Sequence, residues 1–469
     1  MMPRPPAGVE GLTVDSNRPI AASQLPSTAG LRPDFIWGVS TSSFQIEGAT
    51  REDGRGPSIW DVTCQNGEIR NRDTGDIACD HYHRYREDVA LMRRLGVQAY
   101  RFSVAWPRVL PQGRGTINEP GLAFYDRLID ELLAVGIEPW LCLYHWDLPQ
   151  ALEDLGGWQN RESVAWFADY TTLIAERFGD RVKRFATFNE PSIFNLFSRS
   201  LGKRDRGSEA GLYRATHHVN LAHGAAVDVL REKVEDASIG CIHNLQPCWP
   251  SGENEADAAA AARLGIYWNN AFPDPQCLGE YPPSMRTLVE PHLQPGDLAR
   301  VCRPLDWFGL NHYSPVYVRA QADAMLGYDF GEKPAGVALT PIGWPINPEA
   351  FGETLRLVHE RYRLPIYVLE NGLGNFDKPD EAGAVVDPER IDFLRAYIGA
   401  MNSAAADGVD VRGYFVWSLL DNFEWMSGYS NRFGLIYVDY ASLQRLPKSS
   451  FHWYADLIKA ARAEVEGIG

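Results

Sequence analysis

Cysteine is scarce in this chain and follows no pairing pattern. There are 7, at positions 64, 79, 142, 241, 248, 277 and 302, an odd count with no C-x-x-C spacing. That argues against a disulfide framework and a zinc knuckle, and fits reduced thiols in a cytoplasm. Nucleotide fingerprints are missing too. Gly38-Val39-Ser40 lacks the G-x-G-x-x-G spacing and no G-x-x-x-x-G-K-[ST] occurs, which disfavours dinucleotide and ATP chemistry. Basic residues are outnumbered, 45 against 61 acidic, for a net charge of -16, and the two signs are mixed along the chain. With no basic stripe to meet a phosphate backbone, nucleic acid is not an expected partner. No continuous apolar run opens the sequence: Met1 to Gly30, rich in Pro, Ala and Ser, reads as a flexible leader rather than a secretory signal or membrane span. No membrane partner is expected.

What is present is a composition of 45% hydrophobic and 12% aromatic residues, including 14 tryptophans, enough for a large core and a ring-lined cleft. Apolar runs of strand length recur at Phe35-Val39, Ala99-Val104, Pro139-Tyr144, Phe185-Phe188, Ser238-Ile242, Trp307-Leu310, Ile366-Leu369 and Gly413-Trp417. Between them, sets such as Val89, Met92, Leu95 and Leu128, Leu132, Val135 repeat at helical spacing. Gly96, Gly136 and Gly408 sit where glycine ends a helix. Strand and helix alternating eight times predict an α/β fold, a single (β/α)8 barrel over residues 31–469 with long loops at the C-terminal face of its strands. Val316 to Pro348, rich in proline and glycine, is too long for a plain connection and reads as a functional loop over the barrel mouth.

In a parallel barrel the site forms at the C-terminal ends of the strands, so the residues closing each run matter most. They are Gln45, Arg101, His145-Trp146, Asn189-Glu190, Asn244, Asn311 with Tyr313, Glu370, and Trp417 with Glu424-Trp425 beyond it. Singly, a glutamate after a strand is an ordinary cap or solvated loop residue, and a tryptophan is ordinary core. Together, carboxylates, amides, an imidazole and indoles suit a pyranose, whose hydroxyls take hydrogen bonds while its C–H face packs on a ring. Two converging glutamates, Glu190 and Glu370, suit glycosidic-bond cleavage. His81, His83, His217, His218 and His223 lie in helical or pre-helical sequence with no carboxylate-rich partner motif, so no metal site is expected.

The chain resembles the family 1 glycoside hydrolases, the β-glucosidase family, from about Phe35 to Tyr454. The likeness rests on Ser43-Phe44-Gln45-Ile46-Glu47-Gly48, Gly56-Pro57-Ser58-Ile59-Trp60-Asp61, Tyr100-Arg101-Phe102-Ser103, His145-Trp146-Asp147-Leu148-Pro149, Asn189-Glu190-Pro191, Glu370-Asn371-Gly372, and Trp417 through Trp425. The resemblance implies a retaining exo-β-glucosidase in which Glu190 is the acid/base and Glu370 the nucleophile, with Arg101 and Tyr313 beside the nucleophile. It implies sugar contacts from Gln45, His145, Asn189, Asn311, Trp417, Glu424, Trp425 and Phe433. Asn244, Trp344 and Ser192 fall on the aglycone side. No cofactor and no metal are implied, and the substrate is a small β-glucoside or oligosaccharide. A homo-oligomer is compatible with the sequence.

Some positions narrow the expectation. Relatives acting on 6-phosphosugars show Ser at position 424, with Lys and Tyr at the places of Asn431 and Phe433, so non-phosphorylated O-glucosides are expected. After Asn-Glu-Pro the family often has an aglycone-facing Trp, whereas this chain has Ser192, and Phe194 to Gly207, including Lys203-Arg204-Asp205-Arg206, departs from the usual sequence. Galactoside or fucoside cleavage, transglycosylation, or a non-catalytic sugar-binding barrel are the competing readings. The intact glutamate pair weighs against the last, because a binding module gains nothing from two carboxylates whose repulsion must be managed.

Overall fold

Each apolar run of the sequence lies on a strand of the computed structural model, which describes residues 25–197 and 208–467. The strands are β1 (Ile36–Ser40), β2 (Ala99–Ser103), β3 (Glu138–Tyr144), β4 (Arg184–Asn189), β5 (Ser238–Asn244), β6 (Trp307–Asn311), β7 (Ile366–Asn371) and β8 (Val411–Trp417). They close into one barrel in sequential order, β8 pairing back onto β1, and every pairing is parallel. Parallel neighbours need crossover connections, and long helices supply them. In chain order these are α1 (His81–Leu95), α2 (Glu119–Ala134), α3 (Ser163–Phe178), α4 (Glu209–Lys233), α5 (Glu255–Asn270), α6 (Pro348–Tyr362), α7 (Pro388–Ala406) and α8 (Ser449–Gly467). Gly96, Gly136 and Gly408 all adopt positive φ just past α1, α2 and α7, a conformation glycine reaches without steric cost.

Strands buried on both faces explain why the runs read as continuous apolar segments rather than alternating ones. The helix-facing sides join the main core, while inside the barrel Trp140 packs on Tyr367, Phe415 and Trp307 at ring separations of 4.8, 5.2 and 5.4 Å. These rings come from strand positions preceding the polar strand ends, so they form a solid floor beneath them. Space is tight there: a Cβ on Gly240 would sit 2.3 Å from the Trp307 ring.

The long segment after β6, expected as a functional loop over the barrel mouth, also contains strands. Val316–Ala320 and Tyr328–Phe330 form a three-stranded sheet with Cys248–Pro250, and residues beyond them reach the barrel mouth. Of the expected leader, residues 1–24 lie outside the described residues. Residues 25–30 are fastened to the barrel's last helices: the Thr28 hydroxyl donates to Glu464 at 2.6 Å and the Gly30 amide to Asn402 at 2.9 Å. Among the described residues no helix is long and apolar enough to cross a membrane.

Candidate active site

Parallel registration brings the polar strand ends level with one another. Asn244 pairs with Asn311, Glu370 with Asn311, and Ser40 with both Arg101 and Trp417. Just past the end of β4, Glu190 takes φ +52°, the left-handed region that costs a non-glycine residue about 1–3 kcal/mol. Its N–H donates to the Ile242 carbonyl at 2.8 Å, and Pro191 then starts the short helix Pro191–Phe197. The strained turn is thus held on both sides, and Glu190 joins Glu370 on the wall of one cavity of about 650 Å³.

The two carboxyls have unlike partners. Glu370 accepts from Arg101 Nη1 at 2.6 Å and from the Tyr313 hydroxyl at 2.7 Å. Glu190 Oε1 accepts from the amides of Asn244 and Asn311, each at 2.8 Å, which leaves Oε2 as the oxygen able to carry a proton. Burial raises both groups above the usual carboxylate range, and Glu190 is pushed up to about 8 by burial first and the Glu370 charge second. Against the burial of Glu370 stand the Arg101 charge and the Tyr313 hydrogen bond. Of the pair, Glu370 is therefore the carboxyl that ionises first, and at neutral pH Glu190 is mostly protonated.

Arg101 also orders its surroundings. Its second terminal nitrogen donates to Asn189 Oδ1 at 2.7 Å and lies 3.3 Å from His145 Nδ1, while Asn189 Nδ2 lies 3.1 Å from His145 Nε2. Burial and the Arg101 charge hold His145 well below the usual imidazole range, so it stays neutral. Its ring lies nearly parallel to Trp417 and Trp425, at 5.7 and 5.8 Å. Trp417 Nε1 donates to Glu424 at 3.3 Å, and burial pushes Glu424 up to about 8. Phe433 packs with Tyr313 and Trp417, and Trp344, 40% exposed, packs on Tyr313 and Phe433.

His145, Glu190, Asn244, Tyr313, Trp344, Glu370, Trp417, Glu424, Trp425 and Phe433 all line the cavity. Arg101, Asn189 and Asn311 stand immediately behind that wall, hydrogen-bonded to residues on it. Gln45 is fully buried, its amide donating to Asn422 Oδ1 and the Phe423 carbonyl, one residue before Glu424. Ser192 is not part of the wall. It is buried in the short helix after Glu190, and Ile193, Phe194 and Phe197 of that helix line the cavity instead.

Gln246 and Trp268 escaped the reading by strand ends, although both donate to Asn244 Oδ1, at 2.8 and 3.0 Å. Gln246 carried a weak signal, two residues beyond Asn244. Trp268 lies on α5 and carried none. The histidines of helical sequence find ordinary partners, His81 on Asp88 and His217 on Asp297, and no group of three or more metal-ligating side chains occurs among the described residues.

Residues 27–463 match the family model described as Glycosyl hydrolase family 1. Beta-glucosidase A of Thermotoga maritima is 44% identical over 434 residues, covering 91% of this chain and 97% of that protein. A beta-glucosidase of an Agrobacterium species is 43% identical over 446 residues, covering 92% and 96%. The solved structure of the Thermotoga maritima beta-glucosidase in complex with glucoimidazole superposes with a TM-score of 0.86 at 42% identity, covering 92% of this chain and 99% of that one.

Proposed function

The chain belongs to glycosyl hydrolase family 1, and from that premise we propose that it is a retaining exo-β-glucosidase, releasing terminal non-reducing β-D-glucosyl residues by double displacement. The observation that carries this reading is the unequal treatment of two glutamates on one cavity: Glu370 held by a guanidinium and a phenol, Glu190 held by neutral amides alone.

In the first step a Glu370 oxygen attacks the anomeric carbon and the bond to the leaving oxygen breaks. That oxygen takes the proton from Glu190 Oε2, so the aglycone departs as a neutral alcohol. The ester formed with Glu370 carries no charge, which removes the repulsion that helps hold Glu190 protonated, and the pKa of Glu190 falls. Glu190 then takes a proton from water as the water attacks the same carbon, Glu370 leaves as carboxylate, and glucose is released with its anomeric configuration retained. The two carboxyls supply both nucleophile and proton, so the chemistry needs no metal or organic cofactor.

His145, Glu424 and Trp425 hold the sugar hydroxyls over Trp417; behind them Asn189 fixes His145, Asn311 fixes Asn189, and Gln45 fixes the chain just before Glu424. A 6-phosphate would meet the Glu424 carboxyl on the cavity wall, which supports non-phosphorylated glucosides. All seven cysteines are free thiols, which supports a reducing, cytoplasmic setting. Release of nitrophenol from p-nitrophenyl β-D-glucoside tests the activity, and absence of release by folded protein rejects it. Glu370→Gly is expected to lower turnover at least about a thousandfold; turnover at the parent rate would reject the nucleophile.

A further inference from the structure

The cavity is chemically two-sided, and the side of the acid differs from the side of the sugar grip. Glu190 gives its proton to the leaving oxygen, so whatever surrounds Glu190 away from Glu370 faces the departing group. The chain of contacts there is short. Glu190 Oε1 accepts from Asn244, Asn244 Oδ1 accepts from Trp268 Nε1 at 3.0 Å, and Trp268 continues into Phe197 and Phe330. The three rings pack on one another, with centroids 5.8 Å apart for Phe197–Trp268, 6.5 Å for Trp268–Phe330 and 6.4 Å for Phe197–Phe330. All three line the cavity, and Phe330 is 44% exposed.

The polar groups between these rings and the acid, Asn244 and the Gln246 amide and backbone, already have protein partners. Asn244 Oδ1 takes both Gln246 Nε2 and the Trp268 N–H, while its amide goes to Glu190. The Gln246 backbone N–H and carbonyl are both satisfied by Asn269. A second glucose seated on the three rings would bring hydroxyls against apolar faces and an Asn244 side chain whose oxygen and amide are already engaged, and a buried hydroxyl left without a partner weakens binding. A hydrocarbon or aryl group would instead cover exposed ring surface and lose nothing.

Resting on the β-glucosidase reading above, we propose that the Phe197–Trp268–Phe330 surface is an apolar leaving-group site that makes aryl and alkyl β-glucosides, not glucose disaccharides, the preferred substrates. It replaces by rings from α5, the short helix and the added three-stranded sheet what Ser192 does not provide.

The test compares kcat/KM for methyl β-D-glucoside, 2-phenylethyl β-D-glucoside and cellobiose. A sugar hydroxyl is a more acidic leaving group than phenylethanol, so intrinsic reactivity favours cellobiose and works against the expected order. The expected result is about a tenfold or greater preference for 2-phenylethyl glucoside over cellobiose. Phe330→Ala, at a half-exposed position, is expected to lower the 2-phenylethyl to methyl ratio about fivefold while leaving the cellobiose to methyl ratio within about twofold. Cellobiose turned over as well as 2-phenylethyl glucoside, or a 2-phenylethyl to methyl ratio unmoved by Phe330→Ala, overturns the proposal while leaving the glucosidase reading intact. Failure to cleave all three glucosides overturns both.

Discussion

Glu190 and Glu370 are the same residue type at the C-terminal ends of two strands of one barrel, β4 and β7, and their partners set them apart. The split has a pH signature. Glu190 must be protonated for the first step, so kcat/KM is expected to fall as pH rises through about 8. Glu370 must be ionised, so kcat/KM is also expected to fall on the acid side, with its midpoint above the ordinary carboxyl value, because burial raises that group. Tyr313→Phe removes one donor to Glu370, which should move the acid limb to higher pH and lower kcat/KM about ten- to a hundredfold. A pH–rate profile for parent and variant checks both limbs. Most of these residues were legible because a parallel barrel places its chemistry at strand ends, a rule that selects Arg101, Asn189, Glu190, Asn244, Asn311 and Glu370 directly. Trp268, on α5, and Phe330, at the end of a three-residue strand far along the chain, obey no such rule. Ser192 shows the opposite failure: it lies only two residues after the acid, yet it contributes no part of the wall.

The loop after β7 follows directly on Glu370 and the loop after β8 carries the Glu424-Trp425 pair, and a buried ionic cluster ties the two loops together. Lys448, at the start of α8, donates to Asp377 and to Asp421, each at 2.6 Å, with all three side chains essentially inaccessible. Asp421 lies three residues before Glu424 and also accepts from Arg432 and the Gly434 amide. Burial opposes the charge on Asp377, but Arg390 and Lys448 outweigh it and hold that group below its usual range. Lys448→Met would leave Asp377 to Arg390 and Asp421 to Arg432, each one charge-assisted hydrogen bond short, so it is expected to destabilise the fold by about 1.5–3 kcal/mol, read by urea unfolding. If the cluster also sets the position of Glu424, KM for glucosides should rise in the folded fraction. The eight strands were legible within one or two residues at each end because runs buried on both faces have no competing pattern. The three-stranded sheet of Cys248–Pro250, Val316–Ala320 and Tyr328–Phe330 was not. Its members are short and half-buried, and sequence alone gives no register between segments so far apart.

At the scale of the whole molecule, the barrel spends stability to keep three carboxyls in one cavity. For Glu190, Glu370 and Glu424 the folded-state pKa lies above the unfolded value, so the folded state binds protons more tightly. Their contribution to stability is therefore greatest below about 4.5 and is lost as pH rises toward about 8. Glu190→Gln removes one such group and is expected to raise the melting temperature, by more at pH 8 than at pH 5. An equal gain at both values would contradict the assignment.

The central claim is that Glu370 becomes covalently glycosylated while Glu190 serves as its acid. Incubation with a 2-deoxy-2-fluoro-β-D-glucoside bearing a good leaving group should trap that ester, since the fluorine slows its hydrolysis, and peptide mass spectrometry locates it. The expected result is one fluoroglucosyl group per chain, on Glu370. A label on any other residue, or none on a protein that turns over ordinary β-glucosides, would contradict it.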